Sequence, residues 1–192
     1  MELEKARAIA LELRDQLDEA CHRIEIAGDI RRAKPRVRKI KLLCIPKPME
    51  GVAIPEFEPF NPDAWRQEIE EFGDQDAVDD WFIELFQEGL VDGRRIGRTT
   101  FNRGEKCILH VPSGMAVDIL STDEERWAVA LVVATGGVKT IRRIAAAARE
   151  RGWRFRRSGD GFDTPDGHVT CDTEREVFEA VGLPYMPPEQ RE

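Results

Sequence analysis

The sequence predicts an α+β fold: a sheet-based half over residues 1–121 and a smaller, mostly helical half over residues 122–192. Three observations predict it. Apolar residues recur at helical spacing at the start; short apolar or alternating runs between turn residues fill the middle; two helical segments with clear stop signals follow.

The first element is a helix over 3–21, where Leu3, Ala6, Ile9, Ala10, Leu13, Leu17 and Ala20 make one apolar stripe. Ile24–Ala27 reads as a strand ending at Gly28, and Ile40–Ile45 as a second strand stopped by Pro46 and Pro48. A proline-rich loop or insertion follows over 46–63. The pattern then predicts a short helix over 64–72 and a stronger one over 76–90, with Val78, Trp81, Phe82, Leu85 and Phe86 on one face and Gly89 or Gly93 at its end. Three short strands, 94–101, 106–111 and 115–120, are separated by Asn102-Arg103-Gly104 and Pro112-Ser113-Gly114, both good turn sequences. Helices are expected over 123–135 and 138–151, a strand or hairpin over 153–162, and a capped helix from Asp172 or Thr173 to Gly182. The proline-rich end, LPYMPPEQRE, is extended.

Composition narrows the class. Apolar residues make up 41% and charged residues 34% of the chain, an ordinary folded composition without a run long enough for a membrane span. The four cysteines are scattered with no CxxC pair, as expected of buried thiols in a cytoplasmic protein. With 29 Lys and Arg against 37 Asp and Glu, the net charge of −8 excludes a protein that coats nucleic acid indiscriminately. The charge is unevenly spread, however. Seven of the eleven residues from Arg31 to Lys41 are basic, and a second basic stretch runs from Lys139 to Arg157. Two such clusters on an acidic chain point to a local anionic ligand.

Three separated segments carry a more specific signal. The first is Ile26-Ala27-Gly28-Asp29-Ile30-Arg31-Arg32, followed by the strand Lys39-Ile40-Lys41-Leu42-Leu43. The second is Val117-Asp118-Ile119-Leu120. The third is Ala134-Thr135-Gly136-Gly137 and the basic helix after it, with LPYMPPEQRE at the end. The ordered set resembles the family X DNA polymerases, the group that includes DNA polymerase beta and the bacterial PolX enzymes, over nearly the whole chain. In that family a strand ends in G-S-x-R-R, the next carries D-x-D or D-x-E, a later one carries V-D-I or V-D-L, and a T-G-S turn opens the nucleotide-binding subdomain.

The resemblance implies a nucleotidyltransferase-type palm over 1–121, a mixed β-sheet flanked by helices with an insertion at about 46–75. It also implies a small C-terminal α/β nucleotide-binding, thumb-like subdomain over 122–192. DNA and nucleoside triphosphate are the implied partners and Mg²⁺ the implied cofactor. Gly28, Arg31 and Arg32 fall on positions at the triphosphate, where glycine admits backbone N–H groups and guanidinium donates a fork to phosphate. Thr135, Gly136 and Gly137 fall on the turn lining the sugar and base, and Arg143 near the helix that meets DNA. Asp118 falls on the third catalytic aspartate. Full-length members carry a helix-hairpin-helix domain before the palm, for which this chain leaves no room, so any polymerisation is expected to be weakly anchored.

The departures from the family pattern bear on chemistry. Lys39 and Lys41 stand at the two positions of the metal-binding carboxylate pair. Alternate strand residues share a face, so both ammonium groups should point one way and Ile40, Leu42 and Cys44 the other. Two-metal catalysis needs bridging carboxylates, and a protonated lysine has no lone pair to offer. Asp29 replaces the family serine beside the triphosphate, or else pairs with Lys39 or Lys41, and Gly137 replaces the serine of T-G-S. Three readings follow: a nucleotidyltransferase with lost or impaired activity, a non-catalytic nucleotide- or DNA-binding module of the same fold, or an interaction protein using its acidic helix or proline-rich insertion.

Overall fold

The computed structural model describes residues 1–48, 76–97 and 105–192. Helix α1 (Leu3–Leu17) buries Ala6, Ala10, Leu13 and Leu17, the stripe expected from its spacing. Strand β1 (Cys21–Ile26) begins earlier than the apolar run alone suggested, because its exposed positions are polar. A single helical turn, α2 (Gly28–Arg31), leads toward β2 (Ile40–Pro46). The expected helix at 64–72 lies outside the described residues.

Helix α3 (Ala77–Gln87) opens on a capping box. Asp76 accepts from the backbone N–H groups of Val78 and Asp79, and the Asp79 carboxylate accepts from the Asp76 N–H. Gly89, at φ +70°, ends the segment one turn on. Strands β3 (Val91–Gly97), β4 (Glu105–His110) and β5 (Met115–Ser121) follow as the expected antiparallel meander, the first starting three residues early. The helix expected from residue 123 starts instead at Trp127 as α4 (Trp127–Thr135). Asp123 folds the chain into a turn first: its carboxylate accepts from the Arg126 N–H at 3.1 Å and pairs with the Arg126 guanidinium. Helix α5 (Val138–Glu150), the three-stranded sheet β6 (Arg154–Arg156), β7 (Gly161–Thr164) and β8 (Gly167–Val169), and helix α6 (Glu174–Glu179) complete the chain. The sequence predicted a strand or hairpin over 153–162 here, since Gly-His-Val is too short a run to read as a strand.

The large sheet has the order β1-β2-β5-β4-β3. It is mixed: β2 and β5 run parallel while the other neighbours are antiparallel. Its two faces are covered differently. Ile40, Leu42 and Cys44 with Val117 and Ile119 pack against α1 and α3. Leu43 and Leu120 face the other way, onto Ala27 and Trp127, Ala130, Leu131 and Ala134 of α4. The far side of α4 belongs to a further core: Val129 and Val132 meet Ile144 and Ala148 of α5, Phe155, Phe162, Val177 and Phe178. A helix apolar all round is one buried on all sides, and every α4 residue except Val133 is buried. Helix α4 therefore joins the sheet to the C-terminal elements.

Beneath α3, Lys106 of β4 is buried beside two carboxylates, at 2.9 Å from Asp79 and 3.9 Å from Asp76. Burial pushes the Asp76 carboxyl up to about 6, against the pull of Lys106. Asp79 is the nearer partner and holds the Lys106 charge despite its desolvation. Among the described residues, no helix is long and apolar enough to cross a membrane.

Candidate nucleotide-binding cleft

The parallel pairing of β2 and β5 sets Lys41 directly opposite Asp118. Both lie on the α4 face of the sheet, in alternation with the residues that pack on α1. The Asp118 carboxylate is almost fully buried, and its Oδ2 lies 3.8 Å from the Lys41 Nζ. The Lys39 Nζ forms an ion pair with the same oxygen. Strand alternation puts Lys39 and Lys41 on one face, and the parallel pairing of β2 with β5 brings Asp118 to them. Gly28 closes the near side. It has φ +65°, and a Cβ on it would meet the stem of Lys41 at 3.2–3.3 Å, so only glycine lets the chain pass here without displacing that lysine.

Asp29 does not pair with Lys39 or Lys41 as one expectation had it. Its buried carboxylate forms an ion pair with Arg32 and accepts from the backbone N–H and Nε of Arg38, each at 3.2 Å. The reason is local: α2 is one turn long, which sets residues 29 and 32 on one side, and the chain then doubles back to bring Arg38 over them. Burial opposes ionisation of Asp29, but the Arg38 hydrogen bonds and the charges of Arg32 and Arg38 outweigh it and hold the carboxyl below its usual range.

Arg31 and Arg32 reach across to the C-terminal elements. Arg31 donates to the Thr135 Oγ1 at 2.8 Å and, as a two-pronged fork, to both oxygens of Glu174 at 2.8 and 2.7 Å. Glu174 also accepts from Arg191 at 2.8 Å. Arg191 is fully buried, donates through its Nε to the Met186 carbonyl at 2.9 Å, and lies over the rings of Phe178 and Tyr185. Burial disfavours the Glu174 anion, yet two guanidiniums more than compensate and lower its pKa. Arg32 donates to the Thr135 carbonyl, and its guanidinium occupies the space beside Gly136, where a Cβ would come within 3.0 Å of it. Thr135 itself is completely buried. Neither Glu174 nor Arg191 was singled out in the sequence. Glu174 is one of two acidic residues in the first turn of its helix, and only a partner 143 positions away distinguishes it.

These elements surround a cleft of about 1140 Å³. Its walls carry nine lysines and arginines, among them Lys39 and Lys41, against the two carboxylates of Asp29 and Glu192. On a chain of net charge −8 this is a marked local reversal of sign. Gly28, Gly136 and Gly137 line it as well. From α5 it is Arg142 that reaches the cleft, while Arg143 is exposed outside it. Neighbouring helical positions point about 100° apart, so the two consecutive arginines face different surroundings.

Mg²⁺ does not fit this donor set. Of the three positions at issue, one holds a carboxylate already ion-paired twice and two hold ammoniums. Among the described residues, no three His, Cys, Asp or Glu side chains gather to hold a metal ion.

Residues 130–192 match the family model described as the DNA polymerase beta thumb. Two solved structures of Leishmania infantum polymerase beta superpose on the entire chain. The ternary P/T complex does so with a TM-score of 0.69 at 16% identity, over 76% of its own length. The ternary gap complex reaches a TM-score of 0.72 at 15% identity, over 70% of its length. The fold is that of DNA polymerase beta. At this identity the likeness is one of fold, and no curated protein matches the chain by sequence. The match begins within α4, at its fourth residue, and runs through everything after it. The family X resemblance seen in the sequence motifs and the polymerase-beta fold agree from one end of the chain to the other.

Proposed function

We propose that this chain is a family X polymerase-like nucleotidyltransferase fold that binds DNA and nucleoside triphosphate, with metal-dependent catalysis lost or impaired. In this reading residues 1–121 are the palm, with an insertion at about 46–75, and residues 122–192 the nucleotide-binding subdomain. The observation that carries it is the double ion pair from Lys39 and Lys41 to Asp118. An arrangement already neutralised by two cations gains nothing from a divalent ion and repels it. At an effective dielectric of about 20, each unit pair near 4 Å is worth about 4 kcal/mol.

Binding needs no metal in such a cleft. Phosphate oxygens would be met by the cations themselves, as guanidinium and ammonium donors meet phosphate elsewhere. Among the described residues no carboxylate forms an ion pair with Arg36, Arg142 or Arg157, and Lys34 acts on Glu192 only at longer range, so all four face the cleft for a ligand. They flank the cleft from both sides, the first two from the loop after α2 and the others from the C-terminal elements.

The test combines primer extension with binding. With labelled deoxynucleotides and Mg²⁺ or Mn²⁺, no incorporation is expected. In EDTA, duplex DNA and a deoxynucleoside triphosphate should still bind, and the logarithm of DNA affinity should fall linearly with the logarithm of salt concentration. Incorporation by the unaltered protein would overturn the loss of catalysis. Failure to bind either ligand in EDTA would overturn the binding reading.

A further inference from the structure

The Thr135–Gly137 turn, which would line the sugar side of a bound nucleotide, is already filled by the chain itself. Helix α5 begins at Val138, and its N-cap, Gly137, has no side chain to satisfy the free N–H groups of the first turn. Glu192 supplies what is missing. Its main-chain carbonyl accepts from the Thr140 N–H at 2.9 Å, and its own N–H donates to the Thr140 Oγ1 at 3.2 Å. Its carboxylate pairs with Lys139 at 2.7 Å, close to the positive end of the helix.

Gly137 is matched to this seat. A Cβ there would stand 2.7 Å from the Glu192 nitrogen and 2.8 Å from its carbonyl carbon and oxygen, so any side chain at 137 would exclude Glu192. The family turn carries serine at that position. The anchor is one residue back: Arg191 is fully buried and held by Glu174 and the Met186 carbonyl. The Glu192 side chain is only lightly held, since its carboxylate and the Lys139 ammonium are 64% and 79% exposed and such pairs are weak in water; the seat rests on the two main-chain hydrogen bonds to Thr140.

We infer that Glu192 is a built-in competitor for anions in the cleft: a polyphosphate ligand that reaches the start of α5 must first displace it. This rests on the proposed binding of nucleoside triphosphate in the same cleft. The negative charge of Glu192 sits inside a predominantly cationic wall, so it weakens the binding of anions that approach that end, and its main chain covers the Thr140 N–H, one of those a phosphate would use.

The probe is inorganic tripolyphosphate, titrated in EDTA at low salt into the full chain and into Thr140→Val/Glu192→Gln. The double substitution removes both the carboxylate and the hydroxyl that holds the Glu192 N–H. Binding about fivefold tighter is expected for the variant, as one opposing charge is lost from a solvent-facing site and the hydroxyl contact that seats Glu192 is lost with it. In the unaltered protein, saturating tripolyphosphate should speed hydrogen exchange at the Glu192 amide. Equal affinity for both proteins overturns the competitor and leaves the binding reading standing. Binding by the variant alone supports the competitor and overturns binding by the unaltered chain. Binding by neither overturns both. Glu192→Gln alone, a surface change expected to give about a twofold gain, carries the test if the double variant does not fold.

Discussion

Restoring the family carboxylates by Lys39→Asp/Lys41→Asp should turn a metal-indifferent protein into one whose stability depends on Mg²⁺. The two lysines now neutralise a carboxylate that is only 3% exposed. At 3.8 Å and an effective dielectric of about 20, the Lys41–Asp118 attraction is about 4 kcal/mol, and a like-charged neighbour would reverse its sign. The lysine side chains are themselves 44% and 28% exposed, and aspartate is shorter, so solvent and rotation absorb much of the swing. A net loss of about 3 kcal/mol remains, which for a chain of this length lowers Tm by ~10 °C. Three clustered carboxylates then form a divalent-ion site, and Mg²⁺ at ten times its Kd would return about 1.4 kcal/mol, or ~4 °C. The assay is thermal unfolding in EDTA and in Mg²⁺ at matched ionic strength. A Tm of the unaltered protein that rises several degrees with Mg²⁺ would refute the reasoning, as would a variant as stable as its parent and blind to the metal.

Glu174→Gln should destabilise the chain by about 3 kcal/mol, because it leaves the buried Arg191 and the Arg31 fork without their shared anion. The Glu174 pKa is depressed from its ordinary 4.5, so its contribution is fully present above that value and is lost as pH falls through the lower folded value; the stability gap between the unaltered protein and Glu174→Gln in denaturant melts should be full at pH 7 and narrow as the pH is lowered below 4.5. Asp76 behaves oppositely. Its folded pKa, raised to about 6 from 3.8, makes the ionised form the less stable one, so stability should decline as pH rises between these values. Asp76→Asn, which keeps the cap, should flatten that slope in the same melts. Gly28→Ala should cost about 1–2 kcal/mol from its left-handed backbone alone, and the added methyl should shift the Lys41 stem, visible as a changed Lys41 side-chain resonance.

Local periodicity made much of this architecture legible. Helix α1, the meander and α5 follow from apolar spacing and turn residues, and the two-residue repeat of β2 separates Lys39 and Lys41 from Ile40, Leu42 and Cys44. Where the reading slipped, a side chain had overridden propensity: Asp123 makes a turn before α4, and β8 exists because β7 offers it an edge. The third member of the lysine site came from motif order, since nothing in the local pattern of Val117-Asp118-Ile119 tells which strand it will lie beside.

What the sequence by itself determined is most of the described elements, the face each residue takes on them, and two lysines, Lys39 and Lys41, at the positions where the family resemblance implies carboxylates. Those properties depend on backbone periodicity and residue chemistry, which are local. Only the tertiary structure decided the partners. Arg31 and Arg32 bind Glu174, Thr135 and Asp29, Arg142 reaches the cleft, and Glu192 sits on the start of α5. Ion pairs between residues up to 143 positions apart leave no trace in spacing, because a charged side chain on a surface helix looks the same in sequence whether it meets water or a guanidinium. The parallel pairing of β2 with β5 and the packing of α4 between two cores are what bring those groups within reach of one another.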